Sequence, residues 1–416
     1  MDIMNTTEER NQIYDIFSNY PKLNPPYEAK GELIDDFKER IACYLNAIDE
    51  ILSLNPSNTV AKEVKKRIKT ITSFSEKVCD TLTSHLCGNI RESYSIFDNA
   101  ITNTKMNSHI YNMTVPLAKM CNEKNPLFRV RKSNEILKDR HELFHIPFKD
   151  RHKVGAMRFS VSGLPCLYLG SSIFVCWQEM NKPDFDKLYI SSFKTDNQSP
   201  ELRILELGYN LLSLVHTTPL ERFFKWDDDN DYYNNETGTM DDELGHIPSQ
   251  NGLDKIVSKL IAWPLVLACN YTKSNIDANF HREYIIPNLL MQWISGDNNK
   301  DISGISYRST KILNQKNSNI GLNVIIPPKM SNAPLTNKGH CPILKQTFSI
   351  TNPVSWTVFS TLEINPEKYI GANADMQNIS SKIENFDESL VQLYHATTFK
   401  KVELLIDQMM QYEKLL

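Results

Sequence analysis

The sequence has no G-x-G-x-x-G turn and no G-x-x-x-x-G-K-[ST] loop. That removes the Rossmann and P-loop ways of cradling a nucleotide phosphate. It has no C-x-x-C pair, and none of its eight cysteines, at 43, 79, 87, 121, 166, 176, 269 and 341, joins histidines at zinc-finger spacing. They are expected to be reduced and mostly buried thiols. It has no long apolar run. Leu260–Cys269, interrupted by Pro264, is about half of the ~20 residues that span a bilayer, so a buried helix and no membrane partner are expected. Met1–Arg10 lacks a basic stretch followed by an apolar one, so no signal peptide is expected. There is no excess of positive charge: 46 basic against 50 acidic residues give a net charge of −4, which argues against nucleic acid as a partner. These absences together describe a cytoplasmic chain, and no long-period repeat interrupts it.

What remains is a globular composition, 41% hydrophobic over 416 residues, long enough for two or three domains of about 100–200 residues. Residues 1–30 are polar, with Pro21, Pro25 and Pro26, and read as a loop or arm. From about residue 31, Leu33, Ile34, Phe37, Ile41, Leu45, Ile48, Ile51 and Leu52 recur at helical steps, and Val60, Val64, Ile68, Ile71 and Phe74 extend the period, with Ser57 as candidate cap. Past about residue 125 strand-like runs interleave with helical ones: 153–161, 166–169, 188–193, 202–207, 304–309, 322–326 and 343–350, with helices near 172–181, 253–270, 281–295 and 391–415. This is an α+β pattern preceded by an all-α N-terminal domain. The division expected is 1–115 helical, 116–375 mixed, and 376–416 a C-terminal helical segment. An acidic insertion lies near 226–246. Counted from Asp227, it puts Tyr232 and Gly238 where an EF-hand needs glycine and glutamate, so it reads as solvated chain and no metal is expected.

The stretch with the most chemistry runs from Phe144 to Met180. Read as strand, turn, strand, helix, it puts Arg158 and Ser160 on one face of a first strand, opposite Met157 and Phe159. Gly163-Leu164-Pro165 makes the turn. Leu167 and Leu169 form the apolar face of the second strand, so Tyr168 points the other way. Gly170-Ser171-Ser172 opens a helix that a serine can cap, and Glu179 lies off that helix's apolar stripe. An arginine fork and helix-terminal amides suit a pyrophosphate. A tyrosine offers a stacking face, and a carboxylate can stabilise an oxocarbenium-like transition state.

The spacing Arg158, Tyr168, Glu179, with Gly163-x-Pro165-x-Leu167-Tyr168-Leu169-x-Ser171-Ser172, resembles the RES-domain family. Tyr284–Gln292 and Gly304–Ser309 resemble its later segments, with Ser309 as the best match to the family serine and Ser306 as the fallback. Leu127–Arg131 is similar to its opening strand, with the arginine at Arg129. The resemblance covers roughly 125–330. It departs where the family's usual Gly-Arg-Trp-Asn is Met157-Arg158-Phe159-Ser160.

The resemblance implies an ADP-ribosyltransferase-like mixed sheet core with flanking helices. It also implies an enzyme that consumes NAD⁺ as substrate, by hydrolysis or phosphorolysis of the nicotinamide–ribose bond, and needs no other cofactor. Such an enzyme acts as a toxin or anti-phage defence effector, and a cognate antitoxin or defence partner restrains it. By the same resemblance Arg129 and Arg158 grip phosphate or ribose, Tyr168 packs on the nicotinamide side, Glu179 stabilises charge on the ribose, and Ser309 adds a hydroxyl. Arg131, Ser160, Ser171, Ser172 and Tyr307 complete the expected binding surface.

Two alternatives keep the same site: ADP-ribose transfer to a protein or nucleic acid, and an inactive NAD⁺-binding sensor. Trp177 stands two positions before Glu179, where protein-modifying transferases often carry Glu or Gln, which favours a small acceptor. Arg140-x4-His145 has the spacing of a HEPN-type ribonuclease motif, and His141, His145 and His152 match no standard metal set. The N-terminal helices are expected to regulate, to bind an inhibitor, or to form a homo-oligomer.

Overall fold

The computed structural model describes residues 3–25, 27–196, 199–215, 250–275, 277–296, 299, 301–311, 319–328, 339–362 and 394–415. The acidic insertion at 226–246 lies outside them. Along the chain come α1 (Ile3–Ser18), α2 (Leu33–Leu54), α3 (Thr59–Lys66), α4 (Ile68–Leu86), α5 (Ile90–Thr102) and α6 (Thr104–Asn112). Then follow β1 (Thr114–Pro116), α7 (Leu117–Met120), β2 (Leu127–Lys132), β3 (Leu167–Gly170), α8 (Ile173–Glu179), β4 (Leu188–Lys194) and β5 (Arg203–Glu206). The remainder is α9 (Leu211–Val215), α10 (Gln250–Ile261), α11 (Trp263–Cys269), α12 (Ile285–Ser295), β6 (Gly304–Arg308), β7 (Leu322–Ile326), α13 (Pro342–Thr347), β8 (Ser349–Ile350), β9 (Val354–Ser355), α14 (Trp356–Leu362), α15 (Thr398–Met409) and β10 (Glu413–Lys414). The chain is thus a mixed α and β protein with a helical N-terminal region.

Two compact units divide it: Met1–Thr114 with Leu207–Leu290, and Val115–Glu206 with Met291–Leu416. Residues 207–290, grouped above with the downstream domain, pack with the N-terminal helices because the apolar run through α11 belongs to their core. Trp263–Cys269 is buried throughout. Trp263 packs on Tyr44 at 4.7 Å between ring centroids, and the Tyr44 hydroxyl donates to the Leu260 carbonyl at 2.7 Å. In α2, Leu33, Phe37, Ile41, Ile48 and Ile51 form a buried stripe joined by Tyr44, while Leu45 and Leu52 are only partly buried.

Several local expectations are corrected. Residues 3–18 are helical rather than a loop, because Ile13, Ile16 and Phe17 give even this polar stretch one buried face. The cap of α3 is Asn58, whose side chain accepts from the Ala61 amide, not Ser57. The helical period through Val64 and Ile68 breaks at Arg67. Residues 342–347 are helix, with proline at the first turn, and only Ser349–Ile350 of that run is strand.

The second unit is built on one sheet, ordered β1-β5-β6-β7-β3-β2-β4-β8-β10, with β9 also on β4. The β5–β6 pair is parallel, while β2–β3, β2–β4, β3–β7 and β6–β7 are antiparallel. One face buries Leu127, Leu167, Leu169, Phe193, Val324 and Ile326 with Phe348. Rings from Trp177, Phe185, Trp356 and Phe399 pack together at centroid distances of 4.7–5.9 Å, so the C-terminal helices α14 and α15 cover α8. The segment 376–416 therefore contributes core to this unit wherever it is described. Strands β2 and β3 pair at one registered position, Phe128 opposite Gly170, while β2 pairs with β4 along six residues. The sheet parts at that seam.

Candidate functional site

The site forms where the sheet parts. Leu167 and Leu169 lie in the core, so alternation turns Tyr168 to the other face, where it is half-buried. In register, Gly170 stands opposite Asn323 and Asn323 opposite Tyr307, so Tyr168, Asn323 and Tyr307 share that face. Helix α8 packs there. A Cβ on Gly170 would lie 2.6 Å from Cys176 Sγ and from Val175 Cγ1, so only glycine lets the helix come this close. The close seat brings Glu179, the last residue of α8, to the sheet. Its Oε1 accepts from Asn323 Nδ2 at 3.0 Å. Lys311 Nζ lies 3.9 Å from its Oε2 and donates to the Glu179 carbonyl at 2.6 Å and to Asn181 Oδ1 at 2.8 Å. Asn181 and Lys182, both left-handed with φ of 61° and 52°, end the helix.

Arg129 reaches the same seam. Its Nη1 donates to the Tyr168 carbonyl at 3.1 Å, and burial lowers its pKa to about 10, which leaves it cationic at neutral pH. Burial pushes the Tyr168 phenol well above its ordinary range, and the charges of Arg129 and Glu179 both act on it. The phenol oxygen is buried without a formed hydrogen bond. Ser160 lies close to it without the geometry of a hydrogen bond. Cys176 is pushed by burial to about 12 and donates to the Phe128 carbonyl at 3.3 Å. It is a thiol and not a nucleophile.

The other expected residues divide. Arg158 is buried, but residues 153–161 form no strand. Phe159 takes φ 55°, turns inward and packs on Tyr307 at 4.9 Å, while Met157 is exposed. The expected alternation, Arg158 and Ser160 against Met157 and Phe159, is therefore replaced by a tight turn. Ser160 is buried and donates to the Gly155 carbonyl at 3.2 Å. Ser171 Oγ accepts from the Leu322 amide at 3.1 Å. Ser172 does cap α8: it accepts from Val175 N at 3.0 Å and donates to the Ile320 carbonyl at 2.6 Å. The amide of Ile173 is taken by Glu403 Oε1 at 2.8 Å. The first amide of the helix N-terminus assigned above to a pyrophosphate is thus already taken by the Glu403 carboxyl group. Arg131 is exposed and donates to the Glu142 carbonyl at 2.6 Å. Ser309 is buried just past β6; its Oγ accepts from the Lys311 amide at 3.3 Å, which puts it beside the lysine that grips Glu179. Ser306 pairs with Val324, so it points to the opposite face.

Asn323, Lys311 and Glu403 were missed by the sequence reading. The signal for Asn323 was one polar residue in the apolar strand Leu322–Ile326. No local pattern marks the other two. The Arg140-x4-His145 motif is not a nuclease site: Arg140 pairs with Glu413, and His145 is buried with both ring nitrogens bonded to backbone. None of the eight cysteines is in a disulfide, and five of them are buried. Among the described residues there is no cluster of three or more His, Cys, Asp or Glu that could hold a metal, and no helix is long and apolar enough to cross a membrane.

Comparison with known proteins adds one relative. Over 340 residues, 81% of this chain and 69% of the other, the sequence is 29% identical to a protein of Bacillus subtilis (strain 168) named "Putative toxin YopC". The chain is thus similar over most of its length to a protein named as a toxin. No protein-family model matches it, and no solved structure matches it.

Proposed function

We propose that this chain is a toxin or defence effector that consumes NAD⁺ by cleaving its nicotinamide–ribose bond. The observation that carries the reading is the meeting of Arg129, Tyr168 and Glu179 at the seam where β2 and β3 part. The similarity to a protein named as a toxin supports the biological role. The mixed sheet, opening at this seam, is assigned to the ADP-ribosyltransferase-like class on the strength of the RES resemblance.

In this reading nicotinamide leaves with the electron pair of the C–N bond, and positive charge develops on the ribose. Glu179 stabilises that charge with its Oε2, while Oε1 is held by Asn323. Tyr168 gives the ring face beside the departing base. Arg129 and buried Arg158 supply the cations for phosphate or ribose, because the first amide of α8 is occupied by Glu403. Ser309 contributes a hydroxyl beside Lys311. Water attacking the ribose carbon gives ADP-ribose, nicotinamide and a proton; phosphate gives the ribose phosphate ester instead. A cognate antitoxin or defence partner would restrain the activity, with the N-terminal helices as the regulatory or oligomerising part.

The test is incubation of the full chain with NAD⁺, with and without phosphate, following products by NMR. Free nicotinamide that disappears in Glu179→Gln supports the reading, and the phosphate dependence names the acceptor. NAD⁺ that binds but stays intact makes the protein a sensor. Label from NAD⁺ appearing on protein or nucleic acid makes it a transferase.

A further inference from the structure

We propose that Asn323 and Lys311 are positioning residues that aim Glu179, and this assignment rests on the functional reading above. The two act on different parts of one residue. Asn323 is buried, and its Nδ2 donates to Glu179 Oε1 at 3.0 Å. An amide N–H can only donate, so this contact fixes which carboxylate oxygen faces the sheet and leaves Oε2 for the reacting side. Lys311 holds the backbone instead. Its ammonium takes the Glu179 carbonyl at 2.6 Å and the Asn181 side chain at 2.8 Å, with Oε2 3.9 Å away. A cation at a helix C-terminus complements the unpaired carbonyls there.

The placement follows from three strands. Asn323 is opposite Gly170 on β3 and Tyr307 on β6, and the bare Gly170 lets α8 lie low enough for Glu179 to meet the amide. Lys311 follows Ser309 at the end of β6, and Ser309 Oγ accepts from its amide. Beyond Glu179 the chain turns through the left-handed Asn181 and Lys182, a conformation that costs free energy unless it is held. Lys311 ties Asn181 down and keeps that turn from releasing the last turn of α8.

The experiment measures NAD⁺ turnover by the full chain for Asn323→Ala, Asn323→Asp, Lys311→Met and Lys311→Arg. A misaimed carboxylate lowers kcat by about tenfold to a hundredfold with KM within about twofold. Asn323→Asp matches the native shape but puts a second carboxylate against Glu179, so it falls below Asn323→Ala; a purely structural role gives the reverse order. Lys311→Arg recovers most of what Lys311→Met loses. Asn323→Asp at wild-type kcat, or losses confined to KM, overturns the proposal. Lys311 is partly exposed, so Lys311→Met remains informative if the Asn323 variants do not fold. If the wild-type chain leaves NAD⁺ intact, the functional reading fails, and the contact is tested without turnover. The side-chain amide signal of Asn323 in the ¹⁵N-labelled chain then shifts in Glu179→Ala, and an unmoved signal overturns the positioning role by itself.

Discussion

Glu403 and Ile173, 230 residues apart, are joined by a 2.8 Å hydrogen bond from the Ile173 amide to the Glu403 carboxylate. Through it, α15 caps the helix that presents Glu179. With Ser172 on Val175 N and Lys311 on the Glu179 carbonyl, both ends of α8 are satisfied from within the protein. In the proposed reading the cationic side chains are then what remains for an anionic substrate, and α15 helps to hold α8 in place.

This contact has a pH signature. Burial raises the Glu403 carboxyl from 4.5 to about 7, against the opposing pull of Lys400, Tyr394 and the Ile173 amide. A raised pKa means that the folded chain binds the proton more tightly than the unfolded one. The stability is therefore complete below about pH 4.5 and lost as pH rises to about 7. The difference in unfolding free energy between wild type and Glu403→Gln is expected to decline by on the order of 3 kcal/mol across that window. Denaturant titrations at intervals from pH 4.5 to 8 measure it, and a flat difference would show that Glu403 is solvated.

Gly170→Ala tests the close seat of α8. The added methyl would stand 2.6 Å from Cys176 Sγ and from Val175 Cγ1, so these side chains or the helix that carries them must shift. Overpacking of this kind costs about 1–3 kcal/mol. The melting temperature should fall, and in the proposed reading NAD⁺ turnover should fall further, because Glu179 rides on the displaced helix. An unchanged melting temperature would mean that the helix can yield without cost.

The legible part of this protein was the part with local rules. Leu167 and Leu169 dictated the facing of Tyr168, Ser172 announced the start of α8, and the apolar run Leu322–Ile326 matched β7 residue for residue. Arg158 was misplaced because Phe159 adopts a left-handed turn that alternation does not anticipate. The helix N-terminus was read as open because its partner, Glu403, is distant in sequence and carries no motif. Residues 343–350 looked like a strand by composition, yet Pro342 starts a helical turn there. Pairings across hundreds of residues are set by packing, and no periodicity in the sequence encodes them.

Tyr168→Phe should separate stability from activity. The Tyr168 hydroxyl is buried without a formed hydrogen bond, so its removal takes away a desolvation cost of roughly 1–3 kcal/mol and gives little up. The folded chain should be as stable as wild type or more so, while in the proposed reading cleavage of NAD⁺ weakens. Equilibrium unfolding beside a turnover assay decides it. A clear loss of stability would mean that the phenol is bonded in the resting protein, with Ser160 as the partner.

His145 predicts the opposite pH dependence to Glu403. Its Nε2 accepts from the Cys341 amide at 2.8 Å, which leaves the proton on Nδ1 for the Ile146 carbonyl, also at 2.8 Å. Burial lowers its pKa from 6.5 to about 3, with His340 and Arg129 adding to the depression. A depressed pKa means that the unfolded chain binds the proton more readily. The stability is full above about pH 6.5 and is lost as pH falls towards 3. His145→Gln should flatten the acid side of the stability profile while lowering stability at pH 7.5, where the neutral ring makes both bonds. Because both nitrogens are engaged, zinc should leave the melting temperature of the wild-type chain unmoved. A zinc-dependent rise lost in His145→Gln would instead mean that the ring turns outward to bind metal, and would reopen the histidine cluster as a site.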